Sequence, residues 1–301
     1  MNSSDYGYWI PKGASTFAAD IDTSIYLVHI LMLIMLVVWG VFFIVFLVKF
    51  RSGNGNQVNP GRYPRTIIPM GMIAFVAIFD VYMLFGHDIP FWNHLKNDFP
   101  DPSKSTVVRI VAQQFVWNVH YPGQDGKFGR SRPALVDEKI NPIGLDFDDP
   151  AAKDDITTIG QLRIPVEKPV IVHLTSKDVI HSFSLPVMRV KQDVIPGMTI
   201  PVWFVPTRTG DWQIACAQLC GNSHFKMKGI FKVQKEKDFL AWMATKEAEL
   251  SEDDEEVWFV PYTHLRAHET LRYLVCRLLH EKKTHLTHPF YLDYLRISQD
   301  Y

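Results

Sequence analysis

No stretch of the 301 residues reads Cys-x-x-Cys-His, so the chain has no site for covalent attachment of a c-type haem. An excess of either charge is also missing: the formal net charge is -1, which gives no footing for nucleic-acid binding. Residues 1 to 24 lack a basic n-region and a small-residue cleavage site, so no cleaved signal peptide is expected there. Formal charge is absent from Ile25 to Val48, apart from what His29 could carry, and acidic residues are absent from Lys49 to Arg65. In the strand-rich middle of the chain, what is missing is helical periodicity.

The uncharged run Ile25 to Val48 would extend about 36 Å as a helix, more than the ~30 Å hydrocarbon core of a bilayer. Thr66 to Gly86 is a second such run, with Asp80 as its one charged residue. A two-helix transmembrane hairpin over residues 25–100 is expected, with helices at about 25–48 and 66–86. The loop 49–65 holds Lys49, Arg51, Arg62 and Arg65, which places it in the cytoplasm and residues 1–24 and 101–235 on the opposite side. A carboxyl inside a spanning helix faces protein or water, so Asp80 is a functional candidate; a neutral Asp80 bonded to a partner helix is the alternative.

After Pro100-Asp-Pro-Ser103, the segments Val107–Val119, Leu162–Leu174, Thr199–Val205, Asp211–Ala215 and Gly229–Val233 read as strands. An all-β sandwich or barrel follows, and with the hairpin the class is α+β. Within the insertion at about 124–160, Asp137 to Asp155 holds seven acidic and two basic residues, either a solvated loop or a face that steers a basic partner. A helix and acidic run are expected at 236–256. The tail 257–301 contains five of the twelve histidines and Cys276, without ligand spacing between them. Its stretch Tyr262 to Leu279 resembles a translated sequencing adapter, so the tail is expected to be foreign to the native protein.

The densest chemistry lies in Cys216-Ala-Gln-Leu-Cys220-Gly-Asn-Ser-His224-Phe-Lys-Met227, with His181 upstream in Asp178-Val-Ile-His-Ser-Phe. Thiolate, imidazole and thioether suit copper first and zinc next, and are poorly matched to calcium or magnesium. One zinc ion on two cysteines and two histidines would leave Met227 without a role, whereas two coppers bridged by two thiolates would use all five side chains. A disulfide between Cys216 and Cys220 is the remaining alternative.

These two stretches together resemble subunit II of the haem-copper cytochrome c oxidases, which carries the dinuclear copper centre CuA on a cupredoxin-like Greek-key barrel. The resemblance implies that Cys216 and Cys220 bridge two copper ions, that His181, His224 and Met227 complete the ligation, and that Gln218 contributes its backbone carbonyl. Many relatives have Glu at that position, whose carboxylate also reaches magnesium; Gln218 keeps the carbonyl and loses the charge. Gln114-Phe115-Val-Trp117 resembles the family's aromatic segment for electron entry, with Phe115 where relatives have Trp. Val190-Lys-Gln-Asp193 resembles the stretch beside the haem-bearing subunit I, which Asp80 is also expected to face. Arg62 and Arg65 depart from a Glu and a Trp that are common in relatives. The implied function is electron transfer from cytochrome c, or an equivalent c-type haem donor, to haem in subunit I, which reduces oxygen with proton pumping; subunit III is a further partner. The implied location is the bacterial inner membrane, multi-pass, with the copper domain on the periplasmic side. The alternative is a membrane-anchored copper-binding or copper-delivery module.

Overall fold

The computed structural model describes residues 10–51, 55, 66–138 and 140–256. Most of the basic loop, with Arg62 and Arg65, and the tail 257–301 lie outside the described residues. The chain divides into residues 1–247 and 248–301, and in the second unit only the helical residues 248–256 are described.

Helix α1, Ala18–Lys49, starts seven residues before the uncharged run because its first turn is anchored outside it. Ala18 is buried, and Asp22 accepts two hydrogen bonds from the Arg189 guanidinium at 2.6 and 2.9 Å. The second helical run is also longer than its apolar core suggests. Helix α2, Ile67–Met83, passes through one π-helical turn, Leu84–Asp88, into α3, Ile89–Asn97. Pro90 does not stop it: it lies directly after the π-helical turn, the kind of irregularity at which a helical run accommodates a residue without an N–H. Both runs are long and apolar enough to cross a membrane, with mean hydropathies of 3.1 and 1.8.

Among the described residues, ten strands follow in two sheets. The first contains β1 Thr106–Gln113, β2 Val116–Tyr121, β3 Ile156–Ile159, β5 Val170–Ser176 and β8 Ile200–Phe204, in the order β3-β2-β1-β5-β8. The second contains β4 Gln161–Pro165, β6 His181–Leu185, β7 Val190–Val194, β9 Gly210–Cys216 and β10 Lys228–Gln234, in the order β4-β10-β9-β6-β7. Pairings are antiparallel except β1 with β5 and β4 with β10. This is a sandwich of the cupredoxin-like kind. Alternation fills its core: Val108, Ile110 and Ala112 of β1 point inward beside Val119 and Trp117 of β2 and Leu174 of β5.

Two expected strands are each two strands here. Val107–Val119 folds back at Gln114-Phe115 into β1 and β2, and Leu162–Leu174 breaks between β4 and β5 where Glu167 takes a φ of 62° ahead of Pro169. Apolar and β-branched residues resume directly after both turns, so composition hides them, although the inward phase shifts from Val108, Ile110 and Ala112 to Trp117 and Val119 across the first. The insertion covers the outer face of the first sheet, where Val111 packs with Ile143, Leu145 and Ala152. Its acidic residues are mostly consumed internally. Asp146 takes Arg130 and Arg132, Asp155 takes His120, and Asp137, Asp149 and Asp154 accept backbone N–H groups. A steering role would rest on the remaining two, Glu138 and Asp148. The helix ends dock on the same sheet: Trp203 of β8 lies edge-on to Phe17 and His94 and donates its indole N–H to the Leu95 carbonyl at 2.9 Å.

Candidate metal centre

The site sits at the end of the sandwich where β9 hands over to β10. Strand β9 ends at Cys216, and the Cys216 N–H donates to the Met227 carbonyl at 3.3 Å, closing a loop that holds the ligand candidates. Strand β6 runs beside β9 with Phe183 opposite Cys216, which brings His181, the first residue of β6, to the loop's edge. Ala217 N–H donates to Ser182 O at 2.9 Å and fixes the loop to that strand.

Five side-chain donors converge. The Cys216 and Cys220 sulfurs are 3.9 Å apart, and both cysteines are free, so the disulfide alternative is not realised. Around this pair the other donors divide into two groups: His181 Nδ1 is 4.0 Å from Cys216 Sγ, while His224 Nδ1 and Met227 Sδ are 3.5 and 3.6 Å from Cys220 Sγ. The Gln218 carbonyl lies 3.2 Å from Cys216 Sγ. Among the described residues, His181, Cys216 and Cys220 place their ligand atoms within 4.8 Å of one another. Five side chains and a carbonyl exceed what one tetrahedral ion takes, and two thiolates centred between two donor groups suit a pair of soft ions.

The surroundings hold these donors in register. His181 is wholly buried, and its Nε2 faces Asp178 Oδ1 at 2.9 Å, which leaves Nδ1 for the sulfur side. Asp178 in turn accepts the N–H groups of Gln114 and Val179, both at 2.7 Å. Burial alone would raise its pKa, but these bonds and the one to His181 outweigh it and hold the carboxyl below its usual value of 3.8. Burial, and after it the neighbouring Cys216, pushes the Cys220 thiol up to about 11, so a proton stays on that sulfur at neutral pH until a cation displaces it. Gly221 has a φ of +137°, and a Cβ there would meet Gln114 Nε2 at 2.7 Å and the Phe115 ring at 3.1 Å. The Gln114 side chain donates to Cys220 O at 2.5 Å.

The other expected site residues take varied places. Phe115 is half-buried against Gly221, at the edge of the ligand loop. Trp117 is fully buried, with its ring 6.2 Å from that of His181. Asp193 is exposed on β7, opposite Ser182, and is not brought to the donors. Asp80 is exposed on α2 and lines an apolar groove of about 680 Å³ with Trp39 and Phe42 of α1. Asp178 opens the stretch Asp178-Val-Ile-His181 that the sequence points to, but its role behind His181 is one the sequence does not assign.

Residues 106–233 match the model of the family described as cytochrome c oxidase subunit II, periplasmic domain. The alternative cytochrome c oxidase subunit 2 of Bradyrhizobium diazoefficiens is 41% identical over 143 residues, which cover 47% of this chain and 51% of the relative. Cytochrome c oxidase subunit 2 of Cereibacter sphaeroides is 28% identical over 198 residues, covering 62% of this chain and 60% of the relative. The chain thus spans about half to three-fifths of the length of these curated relatives. The crystal structure of the periplasmic domain of subunit II of cytochrome oxidase from Bradyrhizobium japonicum is 28% identical, covers 50% of this chain and 98% of that one, and superposes with a TM-score of 0.37. Over residues 106–233, the β-domain of this chain is thus similar to the periplasmic domain of cytochrome c oxidase subunit II.

Proposed function

We propose that the chain is the electron-accepting subunit of a membrane-bound terminal oxidase, taking electrons from cytochrome c or an equivalent haem protein and passing them to haem in a partner subunit that reduces oxygen. The observation that carries this reading is the cluster of His181, Cys216 and Cys220, with His224 and Met227 against Cys220 and the Gln218 carbonyl against Cys216. A pair of copper ions held by His181, Cys216, Cys220, His224 and Met227 would supply reversible one-electron chemistry. The chain's own residues do the rest. Cys216 and Cys220 offer the central sulfurs; Asp178 fixes the ring of His181; Trp117 and Phe183 wall off water behind it. A set of donors held this firmly changes little in geometry when the charge of the site changes.

Around the loop, Leu219 and Phe225 are about three-quarters exposed, and Val179 and Ile180 are also open to solvent. Such a rim of apolar side chains at the mouth of a site suits brief docking of a donor protein. Phe115, at the edge of the loop, is part of that surface in this reading, and Trp117 lies on the inward path beside His181. The two apolar helical runs anchor the chain in the bacterial inner membrane with the β-domain on the periplasmic side, where Asp193 and Asp80 face the haem-bearing subunit. Subunit III completes the assembly. With Gln at position 218, any magnesium there relies on other residues.

Electron paramagnetic resonance of the full chain, purified in detergent and loaded with copper, tests the centre. One electron shared equally by two copper nuclei is the expected pattern. A mononuclear copper signal would overturn the oxidase reading in favour of a copper-binding or copper-delivery module.

A further inference from the structure

The insertion does not fill the whole outer face of the first sheet. Where Val111, Ile143, Leu145 and Ala152 pack, it is closed; beside them it bridges a cleft of about 760 Å³, a size that accepts a small organic molecule. Arg109 of β1 and His173 of β5, paired across the sheet, are in the floor, while His120 of β2, on the other side of Arg109, is buried and does not line the cleft. Arg109, Arg132, His173 and Lys177 line the cleft together with Phe128 and Val136, and among its described lining residues there is no carboxylate.

Of the acidic groups nearby, Asp155, Asp146 and Asp178 are already engaged, and Glu138 acts on Lys177 through space. Asp155 is fully buried, bonded to His120 Nε2 at 2.7 Å and to Gly129 N–H, and it acts on Arg109 only through space. Asp146 is shared by Arg130 and Arg132 and leaves that trio with one net positive charge. Near Lys177 are Glu138 and Asp178, while its ammonium donates to the Pro142 carbonyl at 2.6 Å. Arg109 has no carboxylate hydrogen-bonded to it among the described residues; its guanidinium lies 4.4 Å over the Phe128 ring. Keeping a half-buried guanidinium without a bonded anion is costly, and an incoming anion would recover that cost.

We propose that this cleft binds a small organic anion, a carboxylate or phosphate ester on an apolar or aromatic body. Arg109 and Lys177 take the charged head, Arg132 closes over it, and Phe128 and Val136 take the apolar part. Burial, and then the positive charge of Arg109, hold His173 below its ordinary 6.5, so at neutral pH it offers one N–H donor rather than a further charge.

The test is calorimetric titration of the full chain in detergent with phenyl phosphate, and with benzyl alcohol as the uncharged probe. Expected are saturable binding of phenyl phosphate at one site per chain, none of benzyl alcohol, and affinity at least about ten-fold weaker in Arg109→Gln and in Lys177→Gln. Lys177→Gln serves as the reading should Arg109→Gln fail to fold. Absence of saturable heat, equal binding of both probes, or an affinity unmoved by either substitution in folded protein would overturn the proposal.

Discussion

Replacing Asp178 by Asn tests whether the ring of His181 is held by a carboxylate. In the native site Oδ1 faces His181 Nε2 and accepts from Val179 N–H, while Oδ2 accepts from Gln114 N–H. An amide has one oxygen for these donors. With that oxygen at the Oδ1 position, its NH₂ opposes the Gln114 N–H; turned over, the NH₂ opposes Val179 N–H and pushes the imidazole proton from Nε2 to Nδ1, the nitrogen that must face the sulfurs. Losing one such bond to a charged acceptor costs about 1.5–3 kcal/mol, and loss of a carboxylate behind a ligating histidine weakens metal affinity about 10–100-fold. Copper affinity measured by competition against a chelator should fall by that factor. A change of less than two-fold in folded protein would refute the reasoning. The same carboxyl carries a pH signature. Because its folded pKa is below 3.8, its contribution is complete above the unfolded value and is lost as pH falls through the lowered folded value. The native chain should therefore lose stability more steeply below about pH 4 than D178N does, as read by thermal unfolding.

Three further outcomes are expected. Gly221→Ala forces a side chain into a φ of +137° and onto Phe115, at a cost of about 1–3 kcal/mol, so copper loading should slow or weaken while α1 to α3 stay helical by circular dichroism. Copper loading at pH 8 should release protons into a pH-stat, because the Cys220 thiol near 11 starts protonated, and Cys220→Ser should release fewer; equal release in both would contradict that placement of the proton. Arg189→Gln removes a guanidinium whose side chain is 8% exposed from its bond to Asp22 and should lower Tm by several degrees, whereas an unchanged Tm would show the tether to be idle.

The parts of the molecule that are local in sequence were legible there. Twelve residues carry four ligand candidates, and the apolar helices announce themselves by uncharged length. What depends on distant partners was not. The β1–β2 turn is hidden because Val116 to Val119 resume the β-branched and aromatic composition of β1, and only pairing reveals Gln114 and Phe115 as its corner. The burial of Trp117 comes from the second sheet, through Phe183 and His181, which lie more than sixty residues on. The acidic run looks like a solvated face because composition cannot show that Asp155 meets His120 or that Asp146 meets two arginines. Helix α1 outruns its apolar stretch for the same reason, since Arg189, which holds its first turn, is 167 residues away.

That tether belongs to a wider weave. Ala14 N–H donates to Val187 O and Ala14 O accepts from Thr207 N–H, Thr16 N–H donates to Val205 O, and the Ser15 hydroxyl donates to Met188 O. The segment ahead of the first helix is thus made well before residues 187 to 207 and does not form these bonds until they have been synthesised and folded. If the helical hairpin enters the membrane as it emerges from the ribosome, its leading end waits with open hydrogen bonds for a domain still to come. Biogenesis would then have a built-in order, hairpin first and β-domain second, and the closing of the sandwich would lock the membrane anchor to the domain it carries.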